Sequence, residues 1–277
     1  MNPNDIHEPD PIVTTMANDV DLLNPYAGSI DLDEVIKSLA GIRRYGGHIP
    51  NDITVLQHLL ICDGIASVMA FNANGADENA AVVNEDIHTP YVRMCILLHD
   101  AAEAYIGDIV RPLKKLVNER ADGLIDEIEE ALDMAILTAV CGFRVYTPNI
   151  TEAAQIKDVD SAALAAEVHT LWPELAESGR WGSLPEAIPY LHTVIVKEVM
   201  GMSEETQIDF FHGLLARHVG LYVTKHLADD GDGNDGDDET GPAFEVEDAD
   251  PLHDVDTDTL VEMLEDMGFY VVVVGSD

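Results

Sequence analysis

The sequence predicts an all-α protein, from the spacing of its apolar residues and from the residues that bound each segment. Apolar residues recur at three- and four-residue intervals through the segments between residues 31 and 227, as on amphipathic helices. Ser, Thr and Asp precede several of these segments and Gly follows several, as at helix caps. No segment before residue 268 shows the apolar–polar alternation that is typical of strands.

The predicted helices follow one another along the chain. The first begins at Asp31 and is expected to stop at Gly46 and Gly47, and the second spans residues 52–71 with Asp52 or Thr54 as its cap. Thr89 and Pro90 suit the cap and first position of a third helix, and the short segment RPLKKL follows Gly107. Further helices are expected at residues 120–141, from Thr147 to about Leu171, at about 186–200 and at 204–227, with a loop at 173–189.

Four regions are predicted along the chain. Residues 1–28, rich in Pro, Asp and Asn, are expected to form an irregular N-terminal arm, and residues 29–227 form the helical body. Residues 228–250 have the composition of a flexible acidic linker. Residues 251–277 hold a helix-like TDTLVEMLEDMG and a strand-like FYVVVV, a C-terminal tail too small to build a core alone.

Acidic residues dominate the composition. The chain has 53 Asp and Glu against 14 Lys and Arg, for a formal net charge of -39. Binding of a nucleic-acid duplex through a broad basic surface is therefore excluded, because phosphate contacts need Lys and Arg. An acidic tail alone does not explain the charge, since residues 226–277 hold 18 acids and leave 35 acids against 14 bases in the remainder. We interpret the composition as halophilic, because near-molar salt screens such repulsion.

The sequence also predicts where the protein resides. Its three cysteines, Cys62, Cys95 and Cys141, are isolated in apolar segments, as expected of reduced, buried thiols. The N-terminus has no basic start or apolar run, and no stretch approaches 18 apolar residues, so we predict no signal peptide and no membrane partner. These features favour a cytoplasmic protein of a halophilic archaeon or of its virus.

The segment HDAAEAYIGD, residues 99–108, carries the strongest functional signal. His99 and Asp100 offer an imidazole nitrogen and a carboxylate oxygen, which both suit a divalent cation. Glu103 follows His99 by four residues, so one helix face could present all three side chains. Asp108 comes directly after Gly107, where a turn can direct its side chain back. The pattern indicates a metal site with two further carboxylates beside it.

Two more ligands must come from other helices. His58 lies among apolar residues in mid-helix, where a polar ring needs a partner. Asp160 lies beside Ala and Leu, and an acid is rarely buried alone. A single helical His is more often packed and hydrogen-bonded than metal-bound, so spacing alone leaves both interpretations open. Asp158 is a rival of Asp160, because the two lie on different helix faces and only one can be a ligand.

Three segments resemble the HD-domain metal-dependent phosphohydrolases, closest to the 5'-deoxynucleotidase group and related phage nucleotide phosphohydrolases. They are IRRYGGH (42–48) with TVLQH (54–58), LLHDAAEAYIGDIVRPLK (97–114) and IKDVDSAALAAE (156–167). The register of the last segment favours Asp160 over Asp158. Gln57 departs from the family pattern, which has Glu there. The resemblance implies an HD-domain helical bundle with one divalent ion (Mn, Co, Zn or Mg) bound by His58, His99, Asp100 and Asp160.

The resemblance also implies roles for the neighbouring residues. Glu103 is expected to act as the acid/base group, and Asp108 to position the attacking water. Arg44 would bind the phosphate and Tyr45 would lie near the sugar or base. Two further bases of the body are candidate phosphate contacts, although a plain surface role suits them as well: Arg111 and Lys114.

The function implied is hydrolysis of (deoxy)nucleoside 5'-monophosphates to nucleoside and phosphate. The expected binding partner is the nucleotide substrate. The resemblance also implies a homodimer. One alternative is a dNTP triphosphohydrolase or pyrophosphohydrolase, such as a viral nucleotide-pool enzyme. Another is a non-catalytic HD module that only binds nucleotide. The presence of Glu103, Asp108 and all four ligand candidates argues against that last alternative.

Overall fold

The structure is a computed structural model that describes residues 12–49, 53–74, 89–142, 145–180, 184–185 and 187–229. These residues belong to the first of two compact units into which the chain divides, Met1–Asp229. The predicted tail at 251–277 and all but the first two residues of the predicted linker at 228–250 lie outside the described residues.

A short antiparallel hairpin opens the described chain, where the sequence predicts an irregular arm. β1 (Ile12–Thr14) pairs with β2 (Asp19–Asp21). Val20 of β2 is fully buried and packs against Ala102 and Leu132. The prediction of an irregular arm is therefore wrong at these residues, because strands of three residues are too short to show an alternating pattern in the sequence.

Helices form most of the remaining described chain, so the fold is predominantly helical and the all-α prediction holds at that level. Two short 3-10 turns lie at Ala27–Ser29 and Arg44–Gly47. No helix among the described residues combines the length and the apolar composition needed to cross a bilayer. The helices are α1 (Leu32–Gly41), α2 (Val55–Asn74), α3 (Pro90–Leu98), α4 (Glu103–Ile106), α5 (Arg111–Arg120), α6 (Leu124–Cys141), α7 (Ile150–Leu171), α8 (Pro173–Glu177), α9 (Tyr190–Gly201) and α10 (Glu204–Asp229).

Side-chain caps fix the start of several helices. The Asp31 side chain accepts a hydrogen bond from the Glu34 backbone N–H at 3.0 Å, which begins α1. Thr89 caps α3, with Pro90 at the first helical position as predicted. α7 begins later than predicted, because Asn149 caps it instead of Thr147. In each case a side-chain oxygen satisfies an N–H group that has no partner within the helix.

The end of α1 differs from the prediction. The helix stops at Gly41, before the expected Gly46 and Gly47. The chain then runs extended, and Arg43 forms an isolated antiparallel bridge with Thr54. It turns through Arg44–Gly47, where Tyr45 and both glycines have positive φ angles. This left-handed turn holds Arg44 and Tyr45 beside the start of α2.

α2 lies at the centre of the helical body and packs against α1, α3, α7, α9 and α10. Its apolar residues do not form a single stripe; Leu59 and Ile61 are both fully buried although they project from opposite sides of the helix. A helix that is apolar on all sides is typical of the interior of a protein. His58 therefore lies in the middle of the fold, with no exposed surface.

Candidate metal centre

The structure brings together the four predicted metal ligands from three parts of the chain. His58 projects from α2, His99 and Asp100 follow the last residue of α3, and Asp160 lies on α7. The His58 Nε2 atom lies 3.4 Å from Asp160 Oδ1 and 3.7 Å from Asp100 Oδ2. The His99 Nε2 atom lies 3.5 Å from Asp100 Oδ2, and the centroids of the two imidazole rings are 5.4 Å apart.

These separations suit a single cation. Ligand atoms at about 2.0–2.2 Å from a tetrahedral ion lie about 3.3–3.6 Å from one another. The three distances among the His58, His99 and aspartate atoms fall within or close to that range. Imidazole nitrogens and carboxylate oxygens together form a ligand set for Zn, Mn, Co or Fe(II).

His99 has a nitrogen that is prepared for a ligand. Its Nδ1 atom lies 2.8 Å from the Ile96 carbonyl oxygen and donates a hydrogen bond to it. In the neutral form of the ring, which a metal ligand requires, the Nε2 atom therefore carries the lone pair, and it is buried without a hydrogen-bond partner among the described residues. A buried polar atom of this kind is costly unless something binds to it, and a cation fits that requirement.

His58 is oriented in the same way by a carboxylate. Its Nδ1 atom lies 2.6 Å from Glu167 Oε1, and both side chains are fully buried. The hydrogen bond directs Nε2 towards Asp100 and Asp160. Without a cation, burial and Arg44 lower the pKa of His58, but Cys62, Glu167 and Asp160 outweigh them and hold it above its usual range. A cation at Nε2 would take the place of that proton.

Glu167 is a site residue that the sequence analysis missed. Gln57 stands next to His58 where the resemblance implies a carboxylate. The Gln57 side chain instead accepts a hydrogen bond from the Thr54 backbone N–H at 2.8 Å, and the hydroxyl of Thr54, one of the two predicted caps of α2, accepts one from the Gln57 N–H at 3.2 Å. Glu167 supplies the carboxylate from α7, seven residues after Asp160. Two helical turns separate them, so both share one face of α7. The seven-residue spacing from Asp160 is the sequence feature that could have identified Glu167.

The choice between Asp158 and Asp160 follows from the rotation of α7. Asp158 is exposed, whereas Asp160 is partly buried beside His58. Burial raises the pKa of Asp160, but the hydrogen bond from His58, the charge of His99 and the ion pair with Lys157 lower it well below its usual range. Asp160 therefore remains ionised, as a ligand must.

Arg44 and Tyr45 both contact carboxylates of the centre. Arg44 Nη1 donates a hydrogen bond to Asp100 Oδ2 at 2.9 Å, and its Nε lies 3.9 Å from Glu167. The Tyr45 hydroxyl donates to the second oxygen of Glu167, and its ring makes an edge contact with Trp172 at 5.5 Å. Both residues thus lie next to the candidate ligands, where they neutralise and orient the carboxylates.

Glu103 and Asp108 lie at the edge of the cluster. α3 ends at Leu98 and α4 begins only at Glu103, so the expectation of one continuous helix face is wrong. Burial, followed by the charges of Asp100 and Asp108, raises the pKa of Glu103 to about 9. Asp108 follows Gly107, whose φ is 76°, and its carboxylate accepts a hydrogen bond from the Gly46 N–H at 3.2 Å. A nearby cation would favour the ionised form of Glu103.

The two further bases lie on α5. Lys114 forms ion pairs with Glu129 and, at 3.1 Å, with Asp126, which join α5 to α6. Arg111 is exposed in the first turn of α5. Within the described part of the chain, neither base contacts one of the four ligand candidates.

Cys62 is a second residue whose position the sequence analysis did not identify. Its sulfur atom lies 3.4 Å from His58 Nε2. The ligand atoms of His58, Cys62 and His99 all lie within 4.8 Å of one another, so these residues form a group that could hold a metal ion. Burial, which outweighs the opposing effect of His58, raises the pKa of the Cys62 thiol.

Asp133 on α6 is a third residue that the analysis missed. Its Oδ1 atom is shielded from solvent without a hydrogen-bond partner among the described residues. Burial, and then the charges of Asp100 and Glu129, raise the pKa of Asp133 well above its usual range. Asp133 and His99 both line a cavity of about 140 Å³. Open space therefore adjoins His99, one of the four ligand candidates.

No family model matches the chain. The chain is similar to an uncharacterized protein of Rhodobacter capsulatus, with 27% identity over 172 residues that cover 61% of this chain and 77% of the relative. It is also similar to the uncharacterized protein YfdR of Escherichia coli, with 29% identity over 108 residues that cover 39% of this chain and 45% of YfdR. The second match spans less than half of YfdR, and neither relative's name states an activity.

Proposed function

We propose that the protein is a metal-dependent phosphohydrolase of the HD-domain superfamily that hydrolyses (deoxy)nucleoside 5'-monophosphates to nucleoside and phosphate. One observation carries the proposal: imidazole nitrogens and carboxylate oxygens from three separate parts of the chain converge at 3.4–3.7 Å. The residues that converge are the four that the resemblance implies as ligands.

The chain's own residues would hold the cation in a fixed geometry. Glu167 orients the His58 ring and the Ile96 carbonyl orients the His99 ring. Arg44 fixes Asp100. When bound, a divalent cation acts as a Lewis acid, which lowers the pKa of water and balances the charge of a phosphate group.

Glu103 and Asp108 would divide the proton transfers between them. Glu103 has one buried oxygen without a hydrogen-bond partner among the described residues, so that oxygen can hold or release a proton. Asp108 is fixed by the Gly46 N–H and presents a carboxylate that would orient the attacking water. An acid and a base in different environments are the usual pair for hydrolysis.

Arg44 would contribute to phosphate binding. Its guanidinium group offers five N–H donors, and the contact with Asp100 occupies one of them. The remaining donors can hydrogen-bond to phosphate oxygens next to the cation. Phosphoryl transfer depends mainly on positioning and charge stabilisation, which this arrangement supplies.

The proposal is tested by offering the purified protein a panel of nucleotides in molar KCl, with and without Mn²⁺ or Co²⁺. Release of inorganic phosphate from 5'-monophosphates is the expected result. Release of triphosphate or pyrophosphate from dNTPs would assign the alternative hydrolase activity instead. If no nucleotide releases phosphate with either metal, the hydrolase proposal fails and a nucleotide-binding module remains.

Single substitutions separate metal binding from chemistry. His99→Ala and Asp100→Ala should each abolish retention of the metal, measured as bound metal per chain after dialysis. Glu103→Ala should retain the metal and reduce turnover by about 100-fold or more, as for loss of an acid/base group. Glu174→Ala, at an exposed position of α8, is the control and should change neither property. Loss of metal from the Glu103 variant would contradict its assigned role.

A further inference from the structure

We propose that Cys62 binds the cation through its sulfur atom and makes this centre select zinc, cobalt or iron(II) over magnesium and manganese. The inference rests on the metal site of the proposed function, but not on the substrate or on turnover. Resemblance and residue spacing assign only imidazole and carboxylate ligands to the site. The sulfur ligand therefore follows from the structure alone.

The position of Cys62 on α2 is the first argument. Cys62 follows His58 by four residues, so both side chains lie on the same face of the helix. The sulfur atom is 3.4 Å from His58 Nε2, which is the same distance as that between Nε2 and Asp160 Oδ1. A tetrahedral zinc ion with ordinary Zn–S and Zn–N bonds separates its sulfur and nitrogen ligands by about 3.6 Å.

The second argument is that the sulfur shares its surroundings with His99. The ligand atoms of His58, Cys62 and His99 lie within 4.8 Å of one another. His99 Nε2 is buried without a hydrogen-bond partner among the described residues, and its ring is held by the Ile96 carbonyl. These three residues provide one sulfur and two nitrogen ligands, and Asp100 and Asp160 provide the remaining oxygen ligands.

The alternative is that Cys62 only fills space in the core. Cys62 is fully buried and forms no disulfide, as a packing residue would. However, its sulfur lies 3.4 Å from Nε2 and 3.9 Å from Nδ1 of the His58 ring, and Nε2 of the same ring lies 3.7 Å from Asp100 and 3.4 Å from Asp160. A side chain that only fills space is stabilised by apolar neighbours, and carboxylates and an unpartnered imidazole nitrogen do not provide them.

Sulfur changes the metals that the site prefers. Thiolate ligands favour zinc, iron(II) and cobalt, whereas a set of oxygen and nitrogen ligands also accepts manganese and magnesium. On binding, the Cys62 S–H bond breaks as the metal–sulfur bond forms, and the proton leaves to solvent. The metal is not oxidised or reduced in this step. Cys62 would thus determine which cation occupies the centre.

The test uses Co²⁺ as a spectroscopic probe of the metal-free, full-length protein in molar KCl. The wild-type protein should show the near-ultraviolet charge-transfer band of a sulfur–cobalt bond. Cys62→Ser should lose this band, and its preference for Zn²⁺ over Mn²⁺ should fall by about tenfold or more. Cys95→Ser and Cys141→Ser are matched controls, because both residues are buried free thiols, and they should keep the band.

Two results would overturn the inference: a cobalt-loaded wild-type protein without the band, or a band that survives in Cys62→Ser. If that variant does not fold, X-ray absorption of the zinc-loaded wild-type protein decides the matter. One sulfur at about 2.3 Å is expected, and a shell of nitrogen and oxygen alone refutes the proposal. A sulfur ligand without phosphate release would refute only the hydrolase function, and phosphate release without a sulfur ligand would refute only this inference.

Discussion

Glu167 shows how much of the centre depends on one buried side chain. One of its oxygens accepts a hydrogen bond from His58 and the other accepts one from Tyr45. Burial raises the pKa of Glu167, but His58 and Arg44 outweigh this effect and lower it below its usual range. Glu167 is therefore an ionised carboxylate that orients one metal-ligand candidate and fixes the turn next to it.

Glu167→Gln should weaken metal binding by about 10–100-fold, because loss of the carboxylate that orients a ligating histidine typically has this effect. The dissociation constant can be measured by competition with a chelating dye. Glu174→Gln, which removes an exposed carboxylate on α8, is the control and should leave the constant unchanged. An unchanged constant in the Glu167 variant would show that the His58–Glu167 hydrogen bond does not support metal binding.

The residues of the centre could be predicted only in part. His58, His99, Asp100 and Asp160 were selected by residue type, spacing and resemblance, and the structure brings them together. Cys62 and Glu167 were missed because their positions depend on the faces of α2 and α7 that point inward. Each lies one or two turns from a selected residue, so helical periodicity would have indicated them once the site was placed.

At the scale of helices, a buried charge cluster joins α2, α3 and α10. Arg93 donates hydrogen bonds to Asp63, with a distance of 3.0 Å from Nε, and also to Ser67. His218 Nε2 lies 3.4 Å from the same Asp63 oxygen. Asp63, Arg93 and His218 are all buried. The cluster therefore requires every member, since a buried charge without its partner is costly.

Asp63→Ala should reduce the free energy of unfolding by about 3–5 kcal/mol, because it leaves Arg93 buried without its carboxylate. Chemical denaturation in molar KCl measures this change. Asp209→Ala removes an exposed acid on α10 and should change the free energy by no more than about 0.5 kcal/mol. Equal effects of the two substitutions would show that the cluster does not stabilise the fold.

The same cluster should contribute to the pH dependence of stability. Burial raises the pKa of Asp63, but Arg93 and His218 outweigh it, so the pKa is lowered overall. A lowered pKa in the folded state stabilises the protein above the unfolded value of about 3.9, and this contribution is lost as the pH falls through the folded value. The difference between wild type and Asp63→Ala should therefore shrink below about pH 4. A difference that grows with acidification would contradict this assignment.

A pair of glycines tests the packing of α2 against α9. A Cβ atom on Gly64 would lie 2.8 Å from Ile195 Cγ2, whereas one on Gly213 of α10 would meet no atom within 4 Å. Overpacking costs about 1–3 kcal/mol and exceeds the helix-propensity gain of about 1 kcal/mol. Gly64→Ala should thus lower the thermal unfolding midpoint and Gly213→Ala should raise it. A rise for both would mean that Ile195 moves aside at little cost.

The sequence indicated helices more reliably than the connections between them. Thr89 acts as the predicted cap, and Asp31 caps the helix that was expected to begin there, because a cap depends on adjacent residues. The hairpin at residues 12–21 depends instead on burial of Val20 against Ala102, which is distant in the chain. The early end of α1 depends on the bridge between Arg43 and Thr54. Long-range contacts of this kind leave no local periodicity in the sequence.

For the whole molecule, the excess of acids should make stability depend on salt. The chain has 14 bases for 53 acids, and several of the bases are already paired with carboxylates. Those whose pairs the structure describes include Arg44, Arg93, Lys114 and Lys157. Acids thus outnumber bases almost fourfold, and their mutual repulsion opposes the compact state at low ionic strength.

The thermal unfolding midpoint should rise substantially as KCl increases from about 0.1 M to about 2 M, because the screening length falls from about 10 Å to about 3 Å or less. Calorimetry or circular dichroism measures the midpoint. NaCl at the same ionic strength should have a similar effect, whereas sucrose of equal osmolality should have a smaller one, since sucrose does not screen charge. Salt also weakens attractive ion pairs, but it screens buried pairs much less than exposed ones. The buried ion pair of Asp63 and Arg93 should therefore not lower the midpoint as KCl increases. A midpoint that is constant or lower at high salt would refute the halophilic interpretation of the composition.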